Sequence, residues 1–156
     1  MQTRLSALLL VGSLFLIKGS LGACAADAIP GDLGRLQGCW TAKAGPKRDV
    51  SITITVKGRE VEVAILTSQG IKVAVQGGVK VDESVTPHSI DWVGLSLLDG
   101  QELPDQLAIY KVEGDTFTLR NAGPNARRPR EFKAGEGLVD DLIVFTRQKG
   151  EAVAIK

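Results

Sequence analysis

A stretch of strict alternation between apolar and hydroxyl-bearing residues constrains the fold of this chain more than any other feature. Residues 50–56 read Val-Ser-Ile-Thr-Ile-Thr-Val, so every second side chain is apolar. Because successive side chains of a β-strand point to opposite faces, this pattern predicts a strand with one buried face. Residues 59–66 repeat the alternation, and a Lys-Gly pair separates the two segments. Together they predict a β-hairpin.

Short segments of the same kind, separated by glycine-containing turns, continue along the chain. We predict about nine strands, at residues 38–43, 50–56, 59–66, 71–75, 79–82, 90–98, 107–112, 116–120 and 142–147. The Gly77-Gly78 pair is interpreted as a break between two of them. A short helical turn is expected at residues 31–36, and residues 122–137 are expected to form a loop.

Helical periodicity is absent after residue 35, which indicates that the strands are joined by hairpins. The predicted fold class is therefore all-β and antiparallel. Such a sheet hides its edges by closing into a barrel or by forming a two-sheet sandwich. The nearly sequential hairpins favour an up-and-down barrel of eight to nine strands.

The first 23 residues are predicted to be an export signal. Arg4 precedes an apolar run of 13 residues, 5–17, that ends at Lys18. A run of this length is typical of a signal peptide, whereas a membrane-spanning helix needs about 20 apolar residues. The predicted organisation is a signal peptide (1–23), a tether (24–34), a barrel domain (35–150) and a C-terminal tail (151–156). We expect an exported protein, in the periplasm, in the cell envelope or outside the cell.

Two processing routes are open at Cys24. The Leu-Gly-Ala-Cys sequence that ends at Cys24 resembles a bacterial lipobox, in which the cysteine is acylated and anchors the protein to a membrane. The Ala-Cys-Ala sequence around Cys24 also fits a signal peptidase site, which predicts a freely secreted protein. A retained, unmodified Cys24 is able to pair with Cys39 in an oxidising compartment.

The charge of the exported part argues against nucleic acid as a partner. Of the 19 lysines and arginines only Arg4 and Lys18 lie in residues 1–23, which leaves 17 basic residues against 18 acidic ones. A nucleic-acid-binding domain would carry a marked basic excess. The remaining length suits one domain with its own core. The sequence does not indicate an oligomeric state.

The segment Leu36-Gln37-Gly38-Cys39-Trp40 resembles the entrance of lipocalins and their relatives. In that family the tryptophan lies across the closed end of the barrel, and an arginine from the last strand packs on its ring. The resemblance implies that Trp40 and Arg147 form such a closure, worth about 0.5 to 2 kcal/mol. The alternative is that Trp40 is an ordinary core residue and Arg147 a solvated strand end.

Two more patches, residues 109–116 and 128–132, extend the resemblance to a set of exported, lipocalin-like small domains expanded in planctomycete bacteria. The Thr-Asp-Tyr motif of lipocalins is missing, so the chain resembles a relative of lipocalins and not a typical member. The second patch implies a structural pair of Arg128 and Glu131 that fixes the loop, with Phe132 under the barrel end. Anion binding by the arginines of this loop is the alternative. The resemblance does not indicate a particular biochemical activity.

No catalytic residue, metal or cofactor is predicted. His88 is the single histidine and follows a proline in a predicted loop, at no recognised metal-ligand spacing. Ser89, His88 and Asp91 are the residue types of a catalytic triad, but nothing in the sequence places the serine on a strained elbow beside an oxyanion hole. We interpret His88 as an exposed loop residue and the protein as not an enzyme.

A barrel of about eight strands encloses a space that side chains fill or that holds one small ligand. The first hypothesis is a non-enzymatic binding module for a small apolar or amphipathic ligand, with Trp92, Tyr110 and Phe117 as the aromatic residues suited to line the site. The second is a structural or protein-interaction domain of the cell envelope with a filled barrel. The volume inside the barrel discriminates between them.

Overall fold

The structure of the protein is a computed structural model that describes residues 28–123, 125–135 and 142–149. These residues form one short helix, α1 (Gly31–Leu36), at the predicted helical turn, and eight strands. The strands are β1 (Gly38–Ala44), β2 (Val50–Lys57), β3 (Glu60–Leu66), β4 (Lys72–Asp82), β5 (Ser89–Leu97), β6 (Gln106–Glu113), β7 (Thr116–Asn121) and β8 (Leu142–Arg147). The predicted signal peptide, Cys24 and the predicted tail lie outside the described residues.

The eight strands form a closed barrel in which each strand pairs with its neighbours in the sequence. All pairings are antiparallel, and β1 closes against β8 with Trp40 opposite Arg147 and Thr41 opposite Thr146. The predicted all-β, up-and-down barrel is confirmed. Within the described part of the chain, no helix is long and apolar enough to cross a membrane.

The alternating pattern in β2 decides which of its side chains enter the barrel. Ile52, Ile54 and Val56 are 3 to 6% exposed, while the hydroxyl-bearing residues between them remain partly accessible. The hairpin register places Ile54 directly opposite Val63 on β3. Cross-strand pairs of β-branched residues pack well on a pleated sheet, which stabilises this hairpin.

The prediction of a strand break at Gly77 and Gly78 is wrong, because β4 runs through both residues. The pairing with β5 shifts register between Gln76 and Gly78, so the glycines mark a bulge and not a turn. A Cβ atom on Gly77 would lie 2.9 Å from the Val93 carbonyl oxygen. Glycine is needed there because the backbone of β5 approaches closely, and the strand count is eight rather than nine.

Helix α1 covers one end of the barrel, termed the closed end. Its Leu33 and Leu36 belong to the buried core. The side chain of Gln37 accepts a hydrogen bond from the Gly58 N–H at 2.7 Å and donates one to the Gly58 carbonyl at 3.0 Å. These two hydrogen bonds fasten the end of the helix to the β2–β3 turn. The opposite end, termed the open end, carries the β1–β2, β3–β4, β5–β6 and β7–β8 connections.

Candidate functional site

A cavity of about 340 Å³ occupies the open half of the barrel and is partly open to solvent. Its wall is almost entirely apolar: Ile52, Ile54, Val63, Ile65, Val75, Trp92, Leu95, Leu103, Pro104, Leu119, Ile143 and Phe145. The two polar side chains that the structure places in the wall are Gln106 and Asn121, both uncharged amides. The cavity therefore has an apolar interior with a small polar region.

The cavity lies above the large rings that fill the closed half of the barrel, and six of its lining residues are β-branched: Ile52, Ile54, Val63, Ile65, Val75 and Ile143. On β7, Leu119 and Asn121 line the cavity, and Phe117 at the other end of the strand is fully buried. Phe117 packs against the rings of Trp40 and Phe145, with ring centroids 5.6 and 5.5 Å away. Aromatic side chains bury the largest areas, so this stack packs the closed half of the barrel and forms the floor of the cavity, where Phe145 contributes to the wall.

The β5–β6 loop, residues 98–105, leans over the open end. Leu103 donates its N–H to the Leu95 carbonyl at 2.8 Å, and the Asp105 carboxylate accepts the Gly94 N–H at 2.9 Å. These bonds fold the loop back along β5, so that Leu103 and Pro104 contribute to the cavity wall.

Of the three aromatic residues expected to line a ligand site, the structure places one in the cavity wall. Trp92 is 4% exposed and lines the cavity, and its Nε1 donates to the Asn121 Oδ1 at 3.1 Å. Tyr110 and Phe117 point into the barrel but lie deeper, at the closed end, and are not among the lining residues. Alternation predicts the face of a strand correctly but contains no information about depth along the barrel axis.

Trp40 and Arg147 come together at the closed end. The guanidinium carbon of Arg147 lies 4.1 Å from the centroid of the Trp40 ring. The same guanidinium donates to the carbonyls of Arg35 and Gln37, each at 2.6 Å, and pairs with Asp115 at 3.1 Å. Arg147 thus joins the helix, the first strand and the β6–β7 turn.

A polar cluster beneath α1 was missed by the sequence interpretation. The buried Asp32 carboxylate accepts hydrogen bonds from His88 Nδ1 at 2.9 Å and from the Tyr110 hydroxyl at 3.1 Å, and Arg35 lies 3.2 Å away. His88 lies in the loop between β4 and β5, as predicted, but its side chain is bonded to Asp32 and is only partly exposed. Burial, followed by the neighbouring Asp32 charge, raises the pKa of Tyr110 above its usual range.

The cluster is a structural tie between α1, the start of β5 and the middle of β6. A buried carboxylate is stable only when charged or hydrogen-bonding groups satisfy it, and here His88, Tyr110 and Arg35 all do so. Asp32 and Tyr110 are 78 residues apart, so no local motif could have indicated their contact.

The expected pair of Arg128 and Glu131 is not formed. Arg128 instead lies 2.6 Å from the Asp91 carboxylate of β5 and donates to the Ala108 carbonyl of β6 at 2.7 Å. Glu131 is exposed. Arg120 on β7 donates to the Lys133 carbonyl at 2.6 Å, and the neighbouring Phe132 is half-buried.

The contacts of the loop explain why Arg128 pairs with Asp91 and not with Glu131. Both side chains are about 30% exposed, and the loop crosses the outer face of β5 to β7, where outward-facing Ile109 is 1% exposed. Arg128 reaches a carboxylate and a strand carbonyl at once in this position. Glu131, three residues further on, offers only a solvent-exposed partner, which contributes little.

A groove of about 460 Å³ lies on the outside of the barrel. Its floor consists of small outward-facing side chains of β1 to β4: Cys39, Thr41, Thr53, Thr55, Ala64 and Ala74. Cys39 is half-buried and forms no disulfide with any described residue. The lining of the groove also includes the charged or amide side chains of Glu62, Gln76, Gln148 and Lys149. The interior cavity, whose wall is almost entirely apolar, is the better candidate for an apolar ligand.

The described residues contain no cluster of three or more His, Cys, Asp or Glu side chains that could hold a metal ion. His88 and Asp91 face different partners, Asp32 and Arg128. Comparisons of the chain with family models, with curated proteins and with solved structures return no match.

Proposed function

We propose that this domain is a non-enzymatic binding module that takes up a small apolar molecule inside its barrel. The observation that carries the proposal is the cavity of about 340 Å³ with its apolar wall. Ligand pockets typically span about 300 to 1,000 Å³, and a dry cavity of about 150 Å³ already binds benzene. The volume suits a ligand of about a dozen heavy atoms.

A filled barrel that serves only as a scaffold is the less favoured alternative. Protein interiors are packed at a density of about 0.74 with few voids larger than a water molecule. The cavity of about 340 Å³ is far larger than such a void. The closed half of the same barrel is filled by Trp40, Tyr110 and Phe117, so the chain is able to pack its interior.

The chemistry of the wall favours binding over catalysis. Its polar groups, Gln106 and Asn121, are amides that neither titrate nor act as nucleophiles near neutral pH. General acid or base catalysis needs a titratable group within hydrogen-bond reach of the substrate. The titratable cluster around Asp32 and His88 lies at the closed end, where it ties α1 to the barrel.

Blocking the cavity tests the proposal directly. Val75→Phe adds a ring to the inner face of β4, whereas Ala74→Phe adds the same ring to its outer face. We expect wild type and Ala74→Phe to bind a neutral fluorescent naphthylamine with equal affinity, and Val75→Phe to bind it at least tenfold more weakly. Thermal unfolding of all three proteins checks that both variants fold. Equal binding by Val75→Phe, or no binding by folded wild type, would overturn the proposal.

The proposed setting is outside the cytoplasm, with Cys24 as the point of membrane attachment or as part of a cleavage site. The support is the apolar run at 5–17 and the Leu-Gly-Ala-Cys sequence. Mass spectrometry of the native N-terminus discriminates the two routes. A diacylated Cys24 in the detergent phase indicates a lipoprotein, an unmodified chain in the aqueous phase indicates secretion, and an intact Met1 would contradict export.

A further inference from the structure

The orientation of one amide inside the cavity is determined by its neighbour. The indole N–H of Trp92 can only donate a hydrogen bond, and it lies 3.1 Å from the side-chain oxygen of Asn121. An inverted amide would place two donors against each other. The Oδ1 atom of Asn121 therefore faces Trp92, and the Nδ2 group must point elsewhere.

The Nδ2 group of Asn121 has no hydrogen-bond acceptor among the described residues. It is not a fully buried atom, and Asn121 is part of the cavity wall. An amide donor that is fixed in orientation, unpaired and set in an otherwise apolar wall is suited to bind an acceptor atom of a ligand.

Gln106 adds a second amide to the same region of the wall. It lies on β6 two residues before Ala108, which pairs directly with Asn121. Its Nε2 contacts the Pro104 carbonyl at 3.5 Å, beyond the usual range for such a bond. The Oε1 atom of Gln106 is buried and has no hydrogen-bond partner among the described residues. The polar region therefore contains one fixed donor, one loosely held donor and one unpaired acceptor.

The charges near this region disfavour an anionic head group. None of the described residues that line the cavity is Lys, Arg or His. Arg120 is next in sequence to Asn121, but its guanidinium is bound to the carbonyls of Lys133 and Asn121. The β5–β6 loop above the cavity carries three acidic residues, Asp99, Glu102 and Asp105. A carboxylate would lose its hydration without gaining a cation.

We infer that the cavity selects neutral ligands of about ten carbons that carry a carbonyl group, which the Asn121 amide binds while the chain lies against the apolar wall. This inference rests on the proposed function and adds the chemical class of the ligand. For ligands of equal length, it predicts that the binding affinity is highest for a ketone or ester, lower for a hydrocarbon and lowest for a carboxylate.

Titration calorimetry with matched ligands, supported by Trp92 fluorescence, tests the inference. The probes are a methyl ketone, the corresponding hydrocarbon, the secondary alcohol and the carboxylate of the same chain length, about ten carbons. Wild type is expected to bind the ketone about fivefold to tenfold more tightly than the hydrocarbon, the gain of one well-placed hydrogen bond, and to bind the carboxylate most weakly because its charge is desolvated without a cation.

Asn121→Asp keeps an oxygen for the Trp92 N–H but replaces the free donor with an acceptor. It should lose the preference for the ketone over the hydrocarbon and bind the alcohol, which can donate, at least as well as the ketone. Asn125→Asp makes the same change in the exposed loop and should leave the order of affinities as in wild type.

The outcomes separate this inference from the proposed function. If folded wild type binds none of the probes, the proposed function fails. If wild type binds them but prefers the carboxylate, or if Asn121→Asp retains the preference for the ketone over the hydrocarbon, the cavity still binds ligands and the inference on ligand class is wrong.

Discussion

Arg147 covers the indole ring of Trp40 with its guanidinium carbon 4.1 Å from the ring centroid, and the two residues are opposite each other in the pairing of β1 with β8. The contact joins the last strand to the first at the point where the barrel closes. The guanidinium also donates to two carbonyls at the end of α1. Arg147 is therefore central to the stability of the closed end.

Arg147→Ala should lower the free energy of unfolding by about 2 to 4 kcal/mol, because two charge-assisted hydrogen bonds and one cation–π contact are lost. Arg147→Lys should recover only part of this, since an ammonium group cannot contact both carbonyls and the ring in the same geometry. Urea unfolding measures both. Arg127→Ala, in the exposed loop, is the matched control, and an equal loss in that variant would contradict the assigned role.

Arg128→Ala should destabilise the protein by about 1 to 2 kcal/mol, because it removes the ion pair with Asp91 and leaves the Ala108 carbonyl without that donor. Glu131→Ala, three residues away, should change stability by less than about 0.5 kcal/mol. Chemical unfolding of both variants gives the comparison. A larger effect of Glu131→Ala would restore the pair expected from the sequence.

The sequence was sufficient to predict the all-β barrel because each hairpin depends on local patterns. The alternation at residues 50–56 specifies the buried face of β2, and nearby turn residues specify the reversal to β3. Contacts between distant residues have no such local pattern. His88 bonds Asp32 across 56 positions, and nothing near His88 in the sequence distinguishes it from an exposed loop histidine.

The interior site was only partly predictable for a related reason. Trp92, Tyr110 and Phe117 all point into the barrel, as alternation allows. Their heights along the barrel depend on strand register and on the covering helix, which are set by the whole structure. Trp92 therefore lines the cavity, while the other two residues belong to the packed closed end. The free amide of Asn121 became apparent only through its contact with Trp92.

Tyr110 should resist ionisation at alkaline pH until the protein unfolds. Burial and the Asp32 carboxylate raise its pKa in the folded state, whereas the unfolded chain titrates near pH 10. The contribution of this group to stability is thus complete below about pH 10 and is lost progressively as the pH rises above it, toward the folded pKa.

The chain contains a single tyrosine, so the near-ultraviolet absorbance of phenolate reports on Tyr110 alone. The absorbance should rise together with the loss of far-ultraviolet circular dichroism, not before it. Tyr110→Phe should show a weaker decline of stability with pH in the same range. A phenolate signal near pH 10 in protein that is still folded would show that Tyr110 is not held by Asp32 as described.

Gly77→Ala links the bulge in β4 to the cavity. The new Cβ would lie 2.9 Å from the Val93 carbonyl oxygen and 2.8 Å from the Leu95 Cδ2. The carbonyl belongs to the paired backbone of β5 and cannot easily move, so we expect a loss of about 1 to 3 kcal/mol from overpacking. Leu95 lines the cavity, and its displacement should also weaken the binding of an apolar probe.

Gly78→Ala is the matched control, because its nearest neighbour would be the Val93 Cγ2 at 3.3 Å, a side-chain atom that can shift. Its cost should stay below about 1 kcal/mol. Thermal unfolding and probe titration of both variants give the two readouts. Equal effects on stability would mean that the close approach of β5 is not what requires glycine at position 77. A destabilised Gly77→Ala with unchanged probe affinity would mean that Leu95 gives way without entering the cavity.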